Sequence, residues 1–246
     1  MVEAVGRNVT SFKPGDEVFG VAKGALAQLA CTPASKIAMK TPTANFEQCA
    51  AMPVAALTAL QGLRDRAHVQ PGQKVLINGA SGGIGTYAVQ IAKWMGADVT
   101  GVCSTRNVEL VKSLGASRVI DYTREDFLKS KERYDVFADI IGNRSLSDCR
   151  RVMTRNGVFL NIGVRDSGRL IPRLAAILAS SPFVSQKLAL FVAHATPEDL
   201  KLLSELVESN HVKSVIDRTY PLDQSGDALT YLKQGHARGK VVISMS

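Results

Sequence analysis

Residues 74–85, KVLINGASGGIG, hold the positions whose types and spacing are best suited to chemistry. Val75, Leu76 and Ile77 make the short apolar run of a buried parallel strand. Glycines follow at 79, 82, 83 and 85, and an amphipathic segment, 86–95, begins at once. A strand that breaks into a glycine turn and opens a helix is the setting of a dinucleotide-binding fingerprint. The glycines clear side chains from a tight turn that must approach a pyrophosphate. The helix start offers N–H groups and the positive end of its dipole to the phosphates. The alternative is a glycine-rich turn that binds nothing.

The next segment narrows the ligand. Residues 98–103, DVTGVC, read as the second strand of a βαβ unit. A site that prefers NAD carries an acid at the end of this strand, bonded to the ribose 2′-hydroxyl. Here the strand runs into Ser104, Thr105 and Arg106. Two hydroxyls and a forked guanidinium suit a 2′-phosphate, which a carboxylate would repel. The expected cofactor is NADPH; the other reading leaves Arg106 a solvated residue at a helix start.

These residues need a scaffold, and the chain patterns one. Further strands are expected at 119–122, 134–141 and 157–162. Helices are expected at 46–63, bent or restarted at Pro53, and at 108–114, closed by Gly115. Alternation at these lengths implies a doubly wound α/β fold with a parallel sheet. Ligands then sit beyond the carboxyl ends of the strands, the edge shared by Gly82, Ser104, Gly142 and Gly163. Before this region, residues 1–40 read as β structure, with runs at 2–5 and 17–21 and a turn at Pro14-Gly15. After it, 170–194 is apolar and interrupted by Pro172 and Pro182, which suggests two short helices. They would serve as a dimer contact, a lid or simple core. A helix at 197–209 capped by Thr196, a strand at 212–216, a helix at 222–232 and a strand ending at Ile243 complete the pattern.

Composition limits the other classes. The chain has 246 residues, 46% hydrophobic and 21% charged, as in a globular protein. A net charge of +8 would attract an anionic cofactor. The basic residues are scattered, without an RNA-binding signature, so no specific nucleic-acid contact is expected. Cys31, Cys49, Cys103 and Cys149 form no CxxC pair, which argues against a zinc knot or a disulfide scaffold and for a reducing compartment. With no signal peptide and no membrane-spanning apolar run, the expected location is cytoplasmic.

Taken together, VEAVGRNVTSFKPGDEVFG, AAMPVAALTALQGL, VQPGQKVLINGASGGIG, LGASRVIDY, YDVFADIIGN and HARGKVVI follow one another along nearly the whole chain. In this the sequence resembles the medium-chain dehydrogenase/reductase superfamily, in its zinc-independent quinone oxidoreductase (zeta-crystallin-like) group. The resemblance implies a Rossmann cofactor domain, 46–216, set into a partial, mostly β, chaperonin-10-like catalytic domain formed by 1–45 and 217–246. It also resembles a member shortened at its N-terminus, which would remove part of the substrate pocket. By position, Thr58 would lie at the nicotinamide as the catalytic contact. Ser81, Gly82, Gly83 and Ile84 would line the pyrophosphate. Ser104 and Arg106 would take the 2′-phosphate, and Tyr122 would lie against the adenosine. Asn143 and Gly163 would edge the nicotinamide pocket, and Lys240 would reach the cofactor. Taken singly, Thr58 reads as a helix hydroxyl, Tyr122 as a strand-end core residue and Lys240 as solvated.

No metal is expected. Zinc-dependent relatives place a ligand where this chain has Val54, which has no donor atom, and a cysteine-rich lobe where only Cys31 follows. The resemblance therefore implies an NADPH-dependent reductase of quinones or α,β-unsaturated carbonyls, expected as a homodimer. The competing reading is an NADPH-binding protein impaired in catalysis by the short N-terminus, acting as a sensor or an RNA- or partner-binding module. An alcohol dehydrogenase is disfavoured by Val54.

Overall fold

A computed structural model describes residues 1–162 and 185–245. The expected site residue Gly163, and most of the apolar 170–194 stretch with both its prolines, lie outside the described residues. Contacts divide the chain into two compact units, residues 58–192 and residues 1–57 with 193–246.

The first strands and helices in chain order are β1 (Val18–Gly20), β2 (Ile37–Met39), α1 (Phe46–Ala51) and α2 (Pro53–Gln61). They are followed by β3 (Lys74–Asn78), α3 (Gly85–Trp94), β4 (Asp98–Cys103), α4 (Val108–Ser113) and β5 (Arg118–Asp121). Then come β6 (Tyr134–Asp139), α5 (Leu146–Arg151), β7 (Met153–Asn161) and β8 (Lys187–Leu190). The last are α6 (Pro197–Glu208), β9 (Ile216–Pro221), α7 (Ser225–Lys233) and β10 (Lys240–Ser244).

In the 58–192 unit, β5-β4-β3-β6-β7-β8 form one six-stranded sheet, every pair parallel. The order reverses between β3 and β6, which opens a crevice at their carboxyl ends, where doubly wound sheets bind ligands. Leu76, Ile77, Val136, Phe137, Phe159 and Leu160 are fully buried, as expected of strands covered on both faces. Phe137 meets Phe127 and Phe159 edge to face, at centroid distances of 6.0 and 5.5 Å. The expected strand positions hold to within a few residues.

β8 was not anticipated: KLAL falls in the 170–194 stretch read as helical, and it pairs with β7 from Val158↔Lys187 to Asn161↔Leu190. As an edge strand of four residues it leaves too short a pattern to be told from a helix segment.

In the other unit, β1 pairs antiparallel with β2, and β9 pairs parallel with β10. Residues 2–5 form no strand; Val2 exchanges backbone bonds of 2.9 Å with Asp16 and Gly15 and goes no further. Val212 does not begin a strand either. Asn210, at φ 58°, turns the chain back, and Val212 N donates to Leu206 O, which seats the buried Val212 under the end of α6. β9 starts later, at Ile216. α1 packs on β1 and β10, and α6 on β2. Both helices thus belong to this unit, and the compact units part at 57/58 and 192/193 where divisions at 45/46 and 216/217 were expected.

Candidate cofactor site

The site starts where β3 ends. Asn78 is buried at the last strand position, and Gly79 then adopts φ +95°, which an L side chain rarely tolerates. Gly79 and Ala80 N–H groups both donate to Val102 O, at 3.2 and 3.0 Å, which ties the turn to β4. Gly82 N donates to Gly79 O at 3.1 Å, and Thr86 N to Gly82 O at 3.0 Å. α3 then opens at Gly85 with no side-chain cap, its Thr86 amide closing back onto the turn. Ser81, Gly82, Gly83 and Ile84 are half-buried on this turn.

Two polar clusters flank it. At the crevice between β3 and β6, Asn78 Nδ2 donates to Asp139 Oδ1 at 2.9 Å and to Asn143 Oδ1 at 3.3 Å. Gly142 N also donates to Asp139 Oδ1, at 3.0 Å. The buried Asp139 thus clamps the turn after β6 that carries the exposed Asn143.

At the end of β4, Asn107 Nδ2 donates to Ser81 Oγ at 3.1 Å and Ser104 Oγ at 3.2 Å. Thr105 Oγ1 donates to Asp121 Oδ2 at 2.6 Å, joining the ends of β4 and β5. This hydroxyl, with Thr123 and Arg124, holds the Asp121 carboxyl below the ordinary carboxylate range. Tyr122 N donates to Cys103 O at 3.0 Å, and the Tyr122 side chain is 57% exposed beside the strand ends. Its expected alternative, a core position, is not what the fold gives it. Arg106 is exposed on the same turn. Burial, and then the negative charge of Asp121, push the Cys103 thiol up to about 11, so it stays a neutral packing group.

The structure therefore brings Ser81, Gly82, Gly83, Ile84, Ser104, Arg106, Tyr122 and Asn143 to one sheet edge. Thr58 is half-buried on α2 in the same unit. Lys240 opens β10 in the other unit, where burial pushes its ammonium pKa down. Asn78, Asp139 and Asn107 were missed. An acid at the end of the apolar run YDVFADII, flanked by Ala138 and Ile140, was an available signal for Asp139; Asn107 gave none, because an Asn before a helix reads as a cap.

Comparison with known proteins decides the family. The zinc-binding dehydrogenase family profile matches residues 114–243. A chloroplast envelope quinone oxidoreductase homolog of Arabidopsis thaliana is 35% identical over 98% of this chain and 76% of its own length. This chain belongs to the medium-chain dehydrogenases/reductases. An NADPH-dependent alkenal/one oxidoreductase, chloroplastic, of Arabidopsis thaliana is 31% identical over 99% of this chain and 61% of its own length. The solved quinone oxidoreductase from Coxiella burnetii superposes with a TM-score of 0.81 at 29% identity, covering 98% of this chain and 76% of that one. Members of this superfamily are oxidoreductases, and the parallel sheet found here is their Rossmann-type fold. The matching profile is described as zinc-binding, yet among the described residues no group of three His, Cys, Asp or Glu is placed to hold a metal ion. Among them, too, no helix is long and apolar enough to cross a membrane.

Proposed function

We propose that this chain uses NADPH to reduce quinones or α,β-unsaturated carbonyls, without zinc. The observation that supports this most is the donor set at the end of β4. Ser104 and Arg106 stand where an NAD-selective site carries a carboxylate, and the nearby acid, Asp121, already accepts bonds from Thr105 and Thr123.

The turn itself fits the cofactor. Among the described residues, a Cβ on Gly82 would meet only Gly79 O, at 3.5 Å. The protein's own packing does not require glycine at 82, whereas the close approach of a pyrophosphate does. The amides of residues 81, 83 and 84 would hold the pyrophosphate, and Ser81 and Ser104 would donate hydroxyl protons to phosphate oxygens. Arg106 would pair with the 2′-phosphate, and Tyr122 would cover the adenosine. Asn143, aimed by Asn78 and Asp139, would edge the nicotinamide together with Gly163. Thr58 and Lys240 complete the proposed set, with Thr58 as the catalytic contact. The bound nicotinamide supplies the hydride; the chain orients it, excludes water and stabilises the oxygen that gains charge. Val54 stands 61% exposed at the family's metal-ligand position and has no donor atom.

The related quinone oxidoreductases and alkenal/one reductase support the acceptor class. All four cysteines are free thiols, in keeping with a reducing compartment; a cytoplasmic homodimer is part of the proposal, checked by fractionation and light scattering. The deciding experiment measures NADPH and NADH binding to the chain, then oxidation of NADPH by a quinone with and without a chelator. Tight NADPH binding with chelator-insensitive turnover is expected. Binding without turnover would overturn the reductase reading and leave a cofactor-binding protein. Turnover lost to the chelator would overturn zinc independence.

A further inference from the structure

Asn107 stands at the N-cap position of α4, but its side chain makes no capping bond to that helix. It is 5% exposed and is turned instead to the sheet edge. There its Nδ2 reaches two serine hydroxyls from different turns, Ser81 at 3.1 Å and Ser104 at 3.2 Å. Its Oδ1 is buried with no hydrogen-bond donor among the described residues. A buried acceptor left unmet is unfavourable, so an apolar side chain of similar size would serve the fold better. The two donated bonds are what an amide adds at this position.

Those bonds have a direction. A serine hydroxyl has one proton to give and lone pairs to accept with. Ser81 and Ser104 both accept from Asn107, so the proton of each remains for a second partner. A phosphate offers acceptors only. We propose that Asn107 is a positioning residue that sets both hydroxyls as outward donors, linking the pyrophosphate turn to the 2′-phosphate turn and setting the preference for NADPH over NADH. This rests on the cofactor reading above and extends it to a residue that touches no ligand itself.

The backbone around it is held independently. Asn107 N donates to Ser104 O at 2.9 Å, Thr105 is bonded to Asp121, and Gly82 N to Gly79 O. Loss of the Asn107 side chain therefore frees the hydroxyls while leaving both turns in place. With a carboxylate at 107, which only accepts, both serines would donate inward and a negative charge would face the phosphates.

The test uses the full chain with Asn107→Leu, the isosteric Asn107→Asp, Ser104→Ala and the Ser104→Ala/Asn107→Leu double variant. It reads dissociation constants for NADPH and NADH and the melting temperature without ligand. Asn107→Leu should keep or raise the melting temperature, weaken NADPH about tenfold and weaken NADH about threefold, the scale of one or two lost hydrogen bonds. Asn107→Asp should weaken NADPH about a hundredfold, because repulsion is added. Ser104→Ala should cost little more in the Asn107→Leu background, since coupled groups are not additive. An unchanged NADPH/NADH ratio in both Asn107 variants, with a lowered melting temperature, would make Asn107 purely structural and overturn the proposal. A wild-type chain with no NADPH preference would overturn the cofactor reading, and this proposal with it. A wild-type preference that survives Asn107→Asp would overturn this proposal alone.

Discussion

Gly82 and Gly85 lie three residues apart and answer to opposite constraints. A Cβ at Gly85 would fall 2.0 Å from Gly79 O and 2.8 Å from the Ala80 backbone, neither of which can yield. Gly85→Ala should therefore destabilise the fold by about 1–3 kcal/mol, seen in a denaturant melt. At Gly82 the chain leaves room, so Gly82→Val should melt close to the wild type yet bind neither NADPH nor NADH. Cofactor titration that matched the wild type would reduce the loop to a turn. Arg106→Glu separates the cofactors. A charge-assisted bond to the 2′-phosphate is worth about 1.5–3 kcal/mol, so NADPH should weaken about ten- to a hundredfold, with NADH nearly unaffected in the same fluorescence titration. Equal losses would remove Arg106 from the 2′-phosphate site. At this scale the sequence was most informative where one local rule demanded a residue type, as in the glycine turn. It was silent where a role is shared across distance. Asn107 looks like a cap from its neighbours, and only the fold shows that it serves Ser81, 26 residues away.

The turns after β4 and β5 act as one piece. Thr105 Oγ1 meets Asp121 at 2.6 Å, Thr123 adds bonds from N at 3.0 Å and Oγ1 at 2.8 Å, and Arg124 Nε lies 3.5 Å away. These partners favour the ionised carboxyl, so its pKa in the fold lies below the unfolded value of about 3.9. For such a group the stabilisation is complete above the unfolded pKa and disappears as pH falls through the folded one. NADPH binding, which uses Ser104 and Arg106 on the joined turn, should weaken as pH drops below about 4. Asp121→Asn should bind more weakly at neutral pH and lose that acid step, as affinities measured across pH 3–7 would show. An acid step that persisted in the variant would assign it to another group. Long elements with their own signals were legible: α6 runs from its Thr196 cap, whose Oγ1 accepts from Asp199 N at 3.2 Å, to Glu208 with a buried Leu200-Leu203-Leu206 stripe. Short ones were not. β8 is four residues that a partner strand defines, and the 2–5 run lacked a neighbour to pair with beyond Asp16 and Gly15.

The two compact units differ in how the chain builds them. The parallel sheet comes from one continuous stretch, so its strands pair with neighbours close in sequence. The other unit joins both ends of the chain. Ser214 Oγ donates to Gln48 O at 2.7 Å across 166 residues, α1 meets β10 and α6 meets β2. That is why its boundaries were hard to read: a helix at 46–51 announces its own start through an Asn45–Gln48 capping box, but not which sheet it will cover. The same contrast predicts a gradient of local stability. Strands β3, β4, β6 and β7 lie inside the six-stranded sheet with fully buried side chains. Their amides should open only with the whole unit and exchange slowest with deuterium. β1 and β2 are three residues each, in a two-stranded pair with few buried side chains, and should exchange by local opening. Saturating NADPH at about a hundred times its dissociation constant adds about 2.7 kcal/mol to whatever opening it must leave to occur. Its protection should therefore concentrate in 79–88 and 104–107, the turns that would carry its phosphates, and leave β1 and β2 exchanging as before. Exchange mass spectrometry on the full chain reads both at once. Protection that appeared in β1 and β2 but not at 79–88 would move the cofactor away from the sheet edge, because only groups that bind in the closed state gain from the ligand.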